Sequence, residues 1–95
     1  MKIADKNGME LVELDLGIVD VGTFKEYSFY LVNDSDAELK NIVLNPEYEE
    51  VYVVSAPEQM QPNTTSEFIL KWAPTLKLKQ GLKTSIKITA TALWR

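Results

Sequence analysis

The chain contains no cysteine and no histidine among its 95 residues. The absence of cysteine excludes disulfide bonds, thiolate catalysis and cysteine metal sites. The absence of histidine removes the commonest general base and the commonest metal ligand. An enzyme built on this chain would need paired carboxylates, lysine or a serine–lysine pair. We therefore predict that the chain is not an enzyme and that it uses no cofactor and no metal.

Long apolar runs are also missing. No stretch approaches the ~20 apolar residues that a membrane helix requires. The start, residues 1–15, is polar and acidic and lacks the apolar region of a signal peptide. We therefore expect no membrane contact and no secretion by a classical signal peptide. The expected location is inside a cell, including a host cell in which a virus makes its proteins.

Positive charge is scarce in the first half of the chain. Residues 1–50 hold 12 acidic and 4 basic residues, a net charge of −8, whereas residues 51–95 hold 2 acidic and 6 basic residues, a net charge of +4. This asymmetry can mean a dipolar surface that guides assembly. The favoured explanation is that acidic and basic strands lie side by side in the fold.

Apolar residues alternate with polar ones along most of the chain, which is typical of strands with one buried face. Pro, Asn, Asp and Gly separate these runs, and no stretch has a sustained helical period. The predicted strands are 10–16, 23–32, 39–44, 51–54, 67–72 and about 82–94. The predicted buried residues are Phe29, Leu31, Phe68, Leu70, Trp72, Ile86 and Ile88. The pattern predicts one all-β domain over residues 1–95, an antiparallel sandwich.

Several motifs occur in the order found in one known family. The segment LDLGIVDVG at residues 14–22 resembles the opening of immunoglobulin-like domains related to major sperm protein, abnormal-spindle protein and hydin. Further along, Asn33-Asp34-Ser35, Pro62-Asn63 and Trp72-Ala73-Pro74 match later features of those domains. Leu16 replaces the usual Phe and Asn63 the usual Gly, and both changes are physically mild because Asn tolerates positive φ. The resemblance implies a single immunoglobulin-like antiparallel β-sandwich of about seven strands, used for protein–protein contact and without catalytic residues.

A group of exposed cations and one terminal aromatic are the candidate contact residues. They are Lys77, Lys79, Lys83, Lys87 and Trp94. The lysines could form a docking surface for an acidic partner, or they could be a solvated strand face that blocks unwanted strand pairing. Trp94 could anchor an interface or cover the end of the sandwich. Nucleic-acid binding is not expected, because the only arginine is Arg95 and the net charge is −4.

Three other polar motifs have structural explanations. Asp34-Ser35-Asp36 spaces oxygen ligands as calcium loops do, but it lacks the Gly and distal Glu of those loops, so a turn is expected. Asn63-Thr64-Thr65 matches a glycosylation sequon and is likewise interpreted as a turn. Glu47, Glu49 and Glu50 are expected to form a solvated acidic face.

The function expected from these observations is non-enzymatic structural assembly through protein contacts. The favoured context is a multi-copy virion component, such as a phage capsid decoration or tail/neck protein, whose partners are capsid or tail proteins or copies of itself. The alternative is an intracellular adaptor that binds a partner peptide or protein by strand addition or on the lysine face.

Overall fold

A computed structural model describes residues 1–75 and 82–94 of the chain. In these ranges the regular structure is entirely β-strand. The nine strands are β1 (Lys2–Ala4), β2 (Glu10–Leu11), β3 (Leu14–Gly17), β4 (Lys25–Asn33), β5 (Glu38–Pro46), β6 (Val51–Ser55), β7 (Thr64–Trp72), β8 (Leu82–Thr84) and β9 (Ile86–Leu93). The predicted all-β class is therefore confirmed.

The strands form three antiparallel sheets. The largest has the order β2-β1-β4-β7-β6, and two smaller sheets pair β3 with β8 and β5 with β9. Buried apolar residues from all three sheets meet in one hydrophobic cluster. The five-stranded sheet therefore packs against a second layer made by the two smaller sheets, as in a β-sandwich.

The alternation predicts six strands and the resemblance about seven, whereas the described residues form nine, and three differences from the six explain the count. The predicted strand at 10–16 is divided, because β2 pairs with β1 whereas β3 pairs with β8 in the other layer. The predicted strand at about 82–94 is interrupted at Ser85. Strand β1 was not predicted, because a three-residue Lys-Ile-Ala run is too short for its alternation to be recognised.

The central pair of strands follows its predicted alternation. Strands β4 and β7 pair over nine residues, from Lys25 opposite Trp72 to Asn33 opposite Thr64. The inward residues Leu31, Phe68, Leu70 and Trp72 are buried as predicted. Burying a side chain of this size is favourable by about 1.5–3 kcal/mol, so this face supplies much of the stability of the fold.

Three predicted core residues are only half-buried. Phe29 in β4 and both Ile86 and Ile88 in β9 border the core without being enclosed by it. The prediction that they are buried is therefore wrong. The alternation assigned the correct face, but the opposite layer covers that face incompletely at these three positions.

Two backbone positions have left-handed conformations that explain their residue types. Gly17 has φ +68° at the irregularity in the β3–β8 pairing, where its N–H donates to the Asp15 carboxylate at 2.9 Å. Asn63 has φ +55° in the turn before β7. Asn is one of the few non-glycine residues that tolerate this conformation, as expected from the sequence.

Candidate interaction surface

The structure places two of the four predicted lysines. Lys83 lies in β8 and Lys87 in β9, and the side chains of both are exposed. Lys77 and Lys79 lie outside the described residues. The described part of the lysine group therefore consists of one residue in each of the two smaller sheets.

Acidic residues lie beside Lys83. Asp15 of β3 is directly opposite Lys83 and is also exposed. The Glu47 carboxylate accepts hydrogen bonds from the Ser85 N–H and hydroxyl, each at 3.4 Å. The acidic first half of the chain therefore borders the basic second half at this edge. At Lys83, acidic and basic strands therefore lie side by side, the second of the two explanations for the uneven charge of the sequence.

The C-terminal strand is unusually exposed on both faces. Ile86, Ile88, Ala90 and Ala92 share the face that borders the core, yet the two isoleucines are half-buried and the two alanines are exposed. On the opposite face, Leu93 is 43% exposed. Among the described residues only β5 pairs with β9, so β9 is an edge strand. Its inner face is partly open to solvent.

Trp94 follows β9 and is 70% exposed. The structure therefore does not use this side chain to cover the end of the sandwich. Large aromatic side chains exposed beside apolar groups are typical anchors of protein interfaces. Of the two roles left open by the sequence, the interface anchor is the one compatible with this exposure.

The Asn33 side chain organises the corner between β4 and β5. It is 1% exposed, and its amide donates to the carbonyls of Ala37 and Gln61, both at 2.9 Å. Its carbonyl oxygen accepts from the Ser35 N–H at 3.2 Å and from the Ser35 hydroxyl at 2.7 Å. Residues 33–36 thus form the expected side-chain-stabilised turn, with Asp36 accepting from the Asn63 amide at 3.1 Å.

The acidic cluster also makes local structural contacts. The Glu50 carboxylate accepts a hydrogen bond from the Thr75 hydroxyl, and the Glu50 carbonyl accepts from the Ala73 N–H at 3.2 Å. Together with the contact between Glu47 and Ser85, these bonds hold the strand ends at one end of the sandwich. Glu47 and Glu50 therefore contribute to local structure.

A group of exposed apolar residues lies between β3 and β4 and was not predicted from the sequence. Ile18, Val21 and Phe24 are 65%, 48% and 59% exposed. The Lys71 ammonium lies 4.1 Å from the centre of the Phe24 ring, a cation–π contact. Ile18 and Val21 belong to the motif at residues 14–22 that resembles the family. The sequence pattern identifies the glycines of that motif, but it does not indicate that these apolar side chains are exposed.

Within residues 1–75 and 82–94, Tyr27 is the titratable group whose pKa is shifted. The Tyr27 hydroxyl donates a hydrogen bond to the Leu16 carbonyl. Burial raises the pKa of Tyr27, and the nearby Asp15 carboxylate raises it further. This hydrogen bond joins β4 of the large sheet to β3 of the second layer, so its role is structural.

Comparison of the chain with protein-family models, with curated proteins and with solved structures found no match. Within residues 1–75 and 82–94, no helix is long and apolar enough to span a membrane.

Proposed function

We propose that the chain is a non-enzymatic structural assembly protein that acts through protein–protein contacts. The observation that supports this function best is the exposed C-terminal strand with Trp94 at its end. Exposed apolar side chains contribute binding free energy when a partner removes them from water. The partner is a protein, either another component of an assembly or a further copy of the chain.

The proposal includes an immunoglobulin-like type of sandwich, similar to domains of the major sperm protein, abnormal-spindle and hydin group. Two features support it. The chain passes from one layer to the other between β2 and β3, and β4 and β7 form the centre of one layer opposite strands from the C-terminal part of the chain. Such domains present strand edges and loops on a rigid framework, which suits repeated contacts.

The proposed context is a virion in which many copies decorate a capsid or join the tail or neck, or the host cytoplasm before assembly. A small single domain that presents strand edges on a rigid framework is suited to repeated side-by-side packing. The second candidate is an intracellular adaptor that captures an extended peptide. The incompletely paired β9 favours strand addition as its binding mode.

Density-gradient fractionation of the source cells distinguishes these two functions. A virion component should sediment with a large particle, and mass spectrometry of that fraction should identify capsid or tail proteins in fixed ratio to the chain. An adaptor should remain with small soluble complexes. Sedimentation only as free chain, under conditions that preserve intact particles, would reject the assembly function.

Charge reversal tests whether the lysine face contributes to the contact. Because rim charges act mainly on the encounter rate, changing Lys83 and Lys87 to Glu should slow incorporation into the particle, most strongly at low salt. The matched control is Lys6→Glu, an exposed lysine in the turn between β1 and β2. Equal incorporation of all three proteins across a salt series would remove the lysine face from the proposal.

A further inference from the structure

One edge of β9 has no paired strand among the described residues. The Ser85 carbonyl accepts a hydrogen bond from the Glu47 N–H at the end of β5. The backbone groups of Ser85 therefore point to the edge at which β5 lies. Backbone groups of successive residues in an antiparallel strand point to alternate edges. The backbone groups of Ile86, Ile88, Ala90 and Ala92 therefore point to the other edge. Strand β3 pairs with β8 and, in the described part of the chain, has no pairing with β9.

This edge lacks the protection that the other sheet edges possess. Strand β2 is only two residues long, β6 has a register irregularity, and the far side of β5 hydrogen-bonds to Met60 and Glu58. Strand β9 is eight residues long, and its only charged residue is Lys87, near its start. Residues 88–94 contain no charge, proline or glycine. Natural edges of this length usually carry such features, which prevent pairing with another chain. The unprotected edge thus indicates a paired state.

The sequence of β9 is complementary to itself in the antiparallel direction. A two-fold axis at Ala90 places Ile88 opposite Ala92 and Thr89 opposite Thr91 of a second copy. Threonine pairs across antiparallel strands are favourable, and no like charges meet. The two Lys87 side chains would be separated by about six residues, or roughly 20 Å, along the strands.

The same arrangement accounts for the exposure of Trp94. If the alternation continues for one residue beyond β9, Trp94 lies on the same face as Ile86 and Ile88. Antiparallel pairing about Ala90 then places Trp94 of one copy opposite Ile86 of the other. The small side chains of Ala90 and Ala92 leave space for the indole ring, which would cover the half-exposed isoleucines.

We propose that β9 pairs with β9 of a second copy of this chain, forming a continuous sheet β5-β9-β9-β5 in which each Trp94 covers Ile86 and Ile88 of the other copy. The proposal deepens the proposed function, on which it rests, by naming the partner as a second copy and the contact as this edge. An acidic peptide is less suited to the edge, because residues 88–94 offer it no positive charge.

A single cysteine tests the register directly, because the natural chain contains none. Ala90→Cys places two thiols on opposed residues whose Cα atoms are about 5.5 Å apart in a hydrogen-bonded pair, within the range of a disulfide. Mild oxidation should convert most of this variant into a covalent dimer. Thr65→Cys, on the exposed outer face of β7, is the control and should remain largely monomeric. Equal cross-linking of the two variants would overturn the proposal.

Two further substitutions test the edge and the anchor by light scattering over a concentration series. Ala90→Pro removes an N–H that points to the free edge, so it should abolish the dimer while circular dichroism remains that of the folded chain. Trp94→Ala should raise the dissociation constant at least about tenfold, as expected for an interface anchor. A dimer that persists in both variants, or a natural chain that is monomeric at millimolar concentration, would overturn the proposal.

Failure of this proposal is distinguishable from failure of the assembly function. If the chain is monomeric alone but sediments with a particle, the assembly function stands and the edge contact with a second copy is rejected. If β9 amides are then protected from hydrogen exchange only in the particle, a strand of another protein occupies the edge. If the β9 dimer forms but sediments with no particle, the contact stands and the virion context is rejected.

Discussion

The two tryptophans of the chain occupy opposite environments. Trp72 is 2% exposed in β7, between Lys25 of β4 and Val51 of β6, whereas Trp94 is 70% exposed. The difference follows from position, because Trp72 faces inward in the middle of the large sheet. Residue type alone therefore does not determine whether an aromatic side chain stabilises the fold or remains available to a partner.

Replacing each tryptophan by alanine should separate these roles. Trp72→Ala should lower the free energy of unfolding by about 3–5 kcal/mol, because it removes a buried aromatic and leaves a cavity. Trp94→Ala, the matched control, should change it by no more than about 0.5 kcal/mol when the chain is dilute and monomeric. Denaturant unfolding measures both values. Equal losses in the two variants would show that the inward face of β7 is assigned incorrectly.

At the scale of elements, the two layers are joined by polar contacts as well as by the core. The Tyr27 hydroxyl of β4 donates to the Leu16 carbonyl of β3, although these strands belong to different sheets. Strand β3 is only four residues long and pairs with the three-residue β8. A hydrogen bond across the layers therefore helps to hold a short strand in position.

Tyr27→Phe should lower the free energy of unfolding by about 1 kcal/mol at neutral pH, the usual contribution of one hydrogen bond. The pKa of Tyr27 is raised from 10.0 in the folded chain, so above pH 10 the unfolded chain holds fewer protons than the folded chain. The stabilisation that the Tyr27 hydroxyl provides is therefore complete below pH 10. It is lost as the pH rises through the pKa that Tyr27 has in the folded chain.

The measurement is the difference in unfolding free energy between natural chain and variant as a function of pH. The difference should be constant near neutrality and should shrink above pH 10, because the ionised hydroxyl can no longer donate. Other tyrosines and the lysines titrate in both proteins and cancel in the difference. A difference that stays constant through pH 11 would contradict the assigned contact.

At the scale of the whole molecule, most strand pairs join distant parts of the sequence. Leu14 pairs with Thr84 and Pro46 with Ile86, so the second layer forms only when both halves of the chain meet. The radius of gyration is 14.2 Å, compared with roughly 12 Å for a compact domain of this length. The extended shape leaves strand edges accessible, which is consistent with a contact along β9.

We predict slow folding for this topology. Non-local strand pairing requires loop closure before contacts form, and such β domains fold in milliseconds to seconds. Stopped-flow refolding of the dilute, monomeric chain measures the rate, and double-jump experiments separate the slower phase caused by proline isomerisation. A main phase completed within tens of microseconds would contradict the topology.

The alternation of apolar and polar residues is sufficient to predict the all-β class and the inward face of the central strands. The alternation in β4 and β7 is long and regular, so Leu31, Phe68, Leu70 and Trp72 could be assigned to the core without a structure. The left-handed turn at Asn63 was equally predictable, because few residue types adopt positive φ. Both are local properties that depend on the spacing and chemistry of neighbouring residues.

Which strands pair and which strand edge remains open can be known from the tertiary structure alone. Alternation specifies a face but not a partner, so the division of 10–16 between two sheets and the partial burial of Ile86 and Ile88 could not be derived from it. Charge totals likewise could not show that Lys83 lies opposite Asp15. The candidate contact surface depends on these pairings, since an edge is defined by the strand that is not beside it.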